Sequence, residues 1–189
     1  MSNEHFNLIA RCYNRVPPFQ PDPDLLTCLD VSKKGILLDA GGGTGRVAAE
    51  LKEYFKAIIV VDISTKMLHY AKQKALNCLL APIETLPMVE NSVDRIIMMD
   101  AFHHLQDQSA AAQDLYRVLK PGGRILIIEP DLERRRVKIL SLAEKLLLMR
   151  SRILPAHQIE KLFISLGAIV QIHKHDLAVR LVIIKSDNL

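Results

Sequence analysis

The sequence predicts an α/β domain: a mainly parallel sheet with helices on both faces. Three observations carry this. Short apolar runs alternate with helical patterns from Ile36 to Glu129. Those runs are continuously apolar, as strands buried on both sides require. A glycine-rich turn, Gly41 to Gly45, joins the first run to the first helix.

The strands are expected at residues 36–40, 57–61, 78–81, 94–99 and 124–129, the second run ending at Asp62. Helices are expected at 46–55, 65–75 and 108–119. Val47, Leu51 and Tyr54 share one face of the first, and Ser64 is placed to cap the second. Right-handed crossovers are the default for such units. After Glu129 the alternation breaks. Residues 132–152 read as one long helical stretch with Val137, Leu140, Ala143 and Leu147 on a face. A helix from Pro155 to Leu166 stops at Gly167. Two strand-like runs within 169–185 lie close enough for a hairpin, so the last strand should be antiparallel. Four prolines, Pro17, Pro18, Pro21 and Pro23, separate an N-terminal helical arm (residues 4–14) from the core. No internal repeat is visible.

The 189 residues suit one domain. With 49% hydrophobic and 24% charged residues, whole-chain disorder and low complexity are excluded. A net charge of +4 is too mild to argue for nucleic acid, and the 5% aromatic content without Trp points the same way. Cys12, Cys28 and Cys78 are widely spaced, which suggests neither a disulfide framework nor a zinc site. No metal site is expected. The absence of a signal peptide or apolar span leads to the expectation of a soluble cytoplasmic protein.

The chemistry concentrates at Asp39-Ala40-Gly41-Gly42-Gly43-Thr44-Gly45. Glycines there let a backbone approach a ligand, and a helix N-terminus behind them favours negative groups. Asp62 lies 19 residues after Gly43, at the end of the next strand. A carboxylate there can accept both hydroxyls of a ribose. An adenosine-containing ligand is therefore expected at the carboxyl ends of the strands. Gly43 to Ala48 also satisfies a G-x-G-x-x-A dinucleotide pattern. Asp39 argues against that alternative. It would repel a pyrophosphate and attract the ammonium of a methionine moiety.

The order of short motifs is more specific. Asp39-x-Gly41-x-Gly43-x-Gly45 resembles the first motif of class I S-adenosylmethionine (SAM)-dependent methyltransferases. The likeness continues through Val61-Asp62-Ile63-Ser64, Glu84-Thr85-Leu86-Pro87, Glu90-Asn91-Ser92-Val93-Asp94, Asp100-Ala101-Phe102-His103-His104-Leu105 and Arg117-Val118-Leu119-Lys120-Pro121-Gly122-Gly123. A weaker echo lies in Phe6-Asn7-x-x-Ala10-x-x-Tyr13-Asn14. The flavour is that of the small-molecule branch that includes ubiquinone/menaquinone-biosynthesis methyltransferases.

The resemblance implies a doubly wound, seven-stranded Rossmann-like sheet in the order 3-2-1-4-5-7-6, with strand 7 antiparallel. It implies a single domain: arm 1–23, cofactor-binding core 36–130, inserted helical cap 132–154, and last helix with hairpin 155–189. It implies S-adenosyl-L-methionine as cofactor, S-adenosyl-L-homocysteine as product, and in-line displacement onto a small-molecule acceptor. Gly41, Gly42 and Gly43 would line the methionine side and Asp39 would hold its amino group. Asp62 would take the ribose hydroxyls, and Ile63 and Met67 would pack near the adenine. Ile83 would offer its N–H to the adenine ring, and Asp100 would lie near the methyl centre. Apart from the resemblance, Tyr13 is a candidate to close over the cofactor from the arm, against simple helix packing. Alternatives are a SAM-binding protein without transferase activity and, further off, an NAD-dependent oxidoreductase.

One departure stands out. The family often carries an acidic residue just before Ile83, and this chain has Pro82, with neither a carboxylate nor an N–H. Glu84, two residues on, is the candidate substitute, against a solvent-facing turn role. His103 and His104 are candidates for a general base, against loop packing. Glu129-Pro130-Asp131 ends the fifth strand on the same rim, as substrate contact or as loop and cap chemistry. Residues 116–152 hold ten basic and four acidic side chains. The cluster Arg134-Arg135-Arg136 therefore offers peripheral membrane contact or an acidic-substrate site, against a solvated face.

Overall fold

Seven strands form one sheet in the order β3-β2-β1-β4-β5-β7-β6 in a computed structural model. It describes residues 7, 10, 11, 14–31, 35–131, 153–175 and 178–187. The strands are β1 (Ile36–Ala40), β2 (Ala57–Asp62), β3 (Asn77–Leu80), β4 (Val93–Met99), β5 (Leu119–Pro130), β6 (Ile169–His175) and β7 (Ala178–Ile184). The first five run parallel. β7 pairs antiparallel with both β5 and β6. The expected order and the antiparallel last strand are therefore what the fold shows.

Side-chain alternation splits the core into two layers. Leu38, Val61, Ile96, Met98, Ile125 and Ile127 face one side, against α4 (Gln108–Val118) and α5 (Ala156–Ile164). Leu37, Ile58, Val60, Ile97, Leu126 and Ile128 face the other. There they meet α1 (Pro23–Leu29), α2 (Arg46–Glu50) and α3 (Thr65–Gln73). The apolar strand runs are continuous because both faces are covered.

Three expectations need correction. Residues 17–22 of the proline-rich stretch are coil, but its last proline, Pro23, opens a helix that was not expected, α1. Asp22 Oδ1 accepts from Leu25 N–H at 2.7 Å, Pro23 occupies the first turn, and Asp30 at φ +50° ends the helix. An N-cap followed by proline is a helix start. The helix expected at 46–55 stops at Glu50. Leu51 leaves helical geometry and a 3-10 turn, Lys52–Tyr54, carries the chain on. β5 starts at Leu119, five residues before the expected Arg124. The cap (132–152), with Arg134, Arg135 and Arg136, and Tyr13 of the arm lie outside the described residues. Among the described residues, no helix is long and apolar enough to cross a membrane.

Sheet order reverses beside β1, whose neighbours are β2 and β4. At such a point the loops leaving two strands diverge and open a crevice at their carboxyl ends.

Candidate active site

A cavity of about 640 Å³ occupies that crevice. β1 and its loop contribute Asp39, Gly41, Gly42 and Gly43. β2 and α3 contribute Asp62, Ile63 and Met67, and the turn after β3 contributes Pro82, Ile83 and Glu84. Asp100 and His104 enter from the end of β4. The structure thus gathers nearly all the candidate residues in one place.

The glycine loop is fixed from below. Gly41 and Gly42 N–H donate to Val61 O at 2.8 and 3.2 Å. A Cβ on Gly42 would sit 2.5 Å from the Asp39 carboxylate, so only glycine fits there. Gly43 adopts φ +54°, and a Cβ there would only touch Met67 Sδ at 3.7 Å and Asp62 Oδ2 at 3.9 Å. Asp39 is 1% exposed, and its Oδ2 has no hydrogen-bond partner among the described residues. Burial pushes its carboxyl up to about 7. The nearby Ala48 N–H opposes this, the charge of Asp62 adds to it, and Arg46 lowers it. A buried carboxylate oxygen left unpaired calls for a cationic donor.

Asp62 ties the loop to the next strand. Its Oδ2 accepts from Gly43 N–H at 3.0 Å and its Oδ1 from Ser64 N–H at 2.7 Å. Burial raises its carboxyl above the usual range, against the N–H groups of Ser64, Gly43 and Ile63. Each carboxylate oxygen keeps acceptor capacity for a hydroxyl. Ser64 caps α3 as expected, accepting from Met67 N–H at 3.1 Å. Asn7, quoted above only in the weak N-terminal echo, has a contact that was not expected. Its Oδ1 accepts from Ser64 Oγ at 2.8 Å and Lys66 N–H at 3.1 Å, fastening the arm to the start of α3. Lys74 Nζ reaches Asn14 Oδ1 at 3.1 Å and Thr44 O at 2.7 Å at the other end.

Glu84 has a job other than an open acceptor. Its Oε1 accepts from Gln106 N–H at 3.0 Å and Asp107 N–H at 3.4 Å, clasping the two loops that flank the cavity. Gln106 and Asp107 themselves line the space and were not singled out from sequence. Asp107 was findable, since it caps α4 by accepting from Ser109 and Ala110 N–H. Asp100 sits at φ +50°, a conformation that costs energy outside glycine.

The two histidines separate. His104 lines the cavity, whereas His103 is 4% exposed and does not. His103 Nδ1 lies 2.6 Å from Glu129 Oε2. Glu129 is 1% exposed and absent from the cavity lining, so the substrate-contact option for it is replaced by a buried anchoring role. Asp131 is likewise buried.

The donor set fits SAM. It offers an unpaired buried carboxylate for an ammonium, a second carboxylate for a diol, and an apolar slot of Ile63, Met67, Pro82 and Ile83 for a purine. It suits a pyrophosphate poorly, since Asp39 lies under the loop and α2 has only five residues to present a dipole. Fold and cavity together suit a domain that binds SAM.

Comparison with known proteins points the same way. Residues 38–127 match a family described as a methyltransferase domain. The chain is 33% identical over 144 residues to the ubiquinone/menaquinone biosynthesis C-methyltransferase UbiE of Geotalea daltonii, covering 67% of this chain and 61% of that protein. Against the UbiE of Escherichia coli O1:K1 / APEC it is 30% identical over 115 residues, covering 55% of this chain and 46% of that protein. The chain thus spans less than two thirds of the length of these relatives. A SAM-dependent methyltransferase of Thermotoga maritima, described as a possible histamine N-methyltransferase, superposes with a TM-score of 0.77 at 21% identity, covering 98% of this chain and all of that one. The YcgJ protein of Bacillus gives 0.74 at 18% identity, covering 85% and 97%. These two likenesses are of fold. In sequence, residues 38–127 are similar to methyltransferase domains, and the chain is similar to UbiE over part of its length.

Proposed function

We propose that this protein transfers a methyl group from SAM to a small-molecule acceptor. The observation that carries this is the buried, unpaired Asp39 Oδ2 beside the Asp62–Gly43 clasp, at the carboxyl ends of β1 and β2. Asp39 binds and orients the cationic amino group, and Gly41, Gly42 and Gly43 let the backbone lie against the methionine chain. Asp62 accepts the ribose hydroxyls. Ile63 and Met67 cover the adenine, and Ile83 offers its N–H to the ring. Asp100 and His104 stand toward the acceptor, and Tyr13 closes the arm side. SAM supplies an already activated methyl group, so the protein's task is mainly alignment, worth up to ~7–11 kcal/mol in well-oriented reactions. His104 is the group positioned to take a proton where the acceptor must lose one.

The similarity to UbiE makes a quinone-precursor ring the first acceptor to try. On the same reading, residues 132–154 cover the acceptor side, Arg134, Arg135 and Arg136 provide contact with an anionic surface, and the protein works in the cytoplasm. The test is incubation with radiolabelled SAM and a short-chain demethylmenaquinone, with product mass measured. A gain of one methyl, lost in Asp62→Ala, supports the proposal. SAM binding without turnover across a broad acceptor panel would instead favour the non-transferase reading, for which Pro82 is the sequence support.

A further inference from the structure

The loop after β4 forms one wall of the cavity, and its anchors come from β5. Asp100 N–H donates to Ile128 O at 2.9 Å, holding the left-handed turn. Glu129 then receives two groups. Phe102 N–H donates to its Oε1 at 3.0 Å, and His103 Nδ1 lies 2.6 Å from its Oε2. A carboxylate only accepts, so His103 Nδ1 carries the proton. The His103 and His104 rings lie 4.0 Å apart between centroids, tilted by 49°. Of the two rings, only that of His104 reaches the cavity. Glu129 is itself in the central sheet, paired in register with Val179 of β7.

We propose that Glu129 is a positioning residue for methyl transfer: through His103 it fixes the ring of His104 and the strained Asp100 turn on the acceptor side of the cavity. The inference rests on the methyltransferase reading for its role in turnover, but not for its geometry. Around metal sites, losing the hydrogen-bond partner that orients a ligand typically costs ten- to a hundredfold, and the same orienting geometry is present here without a metal. Glu129 is built to act in this way, because it contacts two consecutive residues and no ligand-facing surface. Its hydrogen-bond partners, Phe102 and His103, are not among the residues assigned to the cofactor. The cofactor and acceptor effects of a change here should therefore separate.

The experiment uses the full chain with labelled histidine side chains, with and without S-adenosylhomocysteine. Nitrogen NMR of the wild type should show His103 Nδ1 protonated. Glu129→Gln keeps an oxygen for Phe102 N–H but offers an NH₂ to His103, so Nδ1 should lose its proton and the His104 resonances should move. With short-chain demethylmenaquinone as acceptor, kcat should fall about tenfold or more, with KM for SAM unchanged. His103→Asn keeps a donor against Glu129, so it should fold and bind S-adenosylhomocysteine normally while the His104 resonances still shift. This second variant decides the matter if Glu129→Gln does not fold. Unmoved His104 resonances in either folded variant would overturn the proposal, as would parallel losses of cofactor binding and kcat. Absence of wild-type turnover on this acceptor would count against the acceptor, and the His103 proton and His104 shifts would still decide the role of Glu129.

Discussion

Asp39 shows how one buried group couples protonation to binding. Burial holds its carboxyl at about 7 in the fold, against an ordinary value of 3.8. Between these values the folded state holds a proton that the unfolded chain has released. Stability of the ligand-free protein should therefore fall as pH rises from about 4 through 7, by an amount on the order of a few kcal/mol. Asp39→Asn mimics the protonated form, so thermal melts should show it gaining on the wild type at pH 8 and matching it near pH 4. The cationic cofactor favours the ionised carboxylate. SAM affinity should accordingly rise with pH through 7 in the wild type and lose that slope in Asp39→Asn. Pro82 gives a second prediction. At φ −71° and ψ 147° it opens the Ile83–Thr85 turn beside the cavity, and Glu84 is engaged with Gln106 and Asp107. Pro82→Asp should tighten SAM by at most about tenfold, the scale of one charged hydrogen bond at an exposed rim. The wild type should barely distinguish SAM from an analogue without the adenine amino group. A strong preference for SAM would identify another acceptor already in place. Residues such as Asp39 and Asp62 were legible because their partners lie in one loop and the next strand. His103 and His104 were not separable, because the deciding partner, Glu129, is 26 residues away in sequence.

At the scale of elements, the first four strands were read to within a residue at each end, the start of β5 and the helices less well. A strand buried on both faces leaves an uninterrupted apolar run, whereas α2 gives way to a 3-10 turn with the apolar spacing still running on. The helix missed altogether, α1, is held by charges from distant strands. Arg95, 2% exposed, donates to Leu29 O at 2.6 Å and pairs with Asp30 at 2.9 Å. Arg180 reaches Asp22 Oδ1 at 3.1 Å at the other end. The two clamps fix α1 under β4 and β7. Arg95→Met leaves the Leu29 carbonyl without that donor and Asp30 without that cation. It should cost about 3 kcal/mol by urea unfolding, the scale of breaking a buried pair. SAM affinity should remain, since α1 lies away from the cavity. A loss below about 1 kcal/mol would place this pair with surface ion pairs instead.

For the whole molecule, division of labour follows from topology. The carboxyl ends of β1, β2 and β4 and the turn after β3 build the cofactor cavity, and the antiparallel β6–β7 hairpin completes the sheet on the far side. The segment between β5 and α5 follows the buried Asp131 at the end of β5. Replacing residues 132–152 with a short Gly-Ser linker should spare SAM binding and abolish transfer. Equal loss of both would tie that segment to the fold itself. The order of strands was legible because the motif order resembled a known family. The size of the cavity and the clasp made by Glu84 were not, since both arise where loops from separate strands meet. The central claim is that this cavity takes SAM, and titration calorimetry of the full-length wild type at pH 8 tests it most directly, with SAM, S-adenosylhomocysteine and NADH as separate titrants. The account predicts saturable one-to-one binding of the first two, abolished or strongly weakened in Asp62→Ala, and none of NADH. Binding of NADH with no heat from SAM would contradict it.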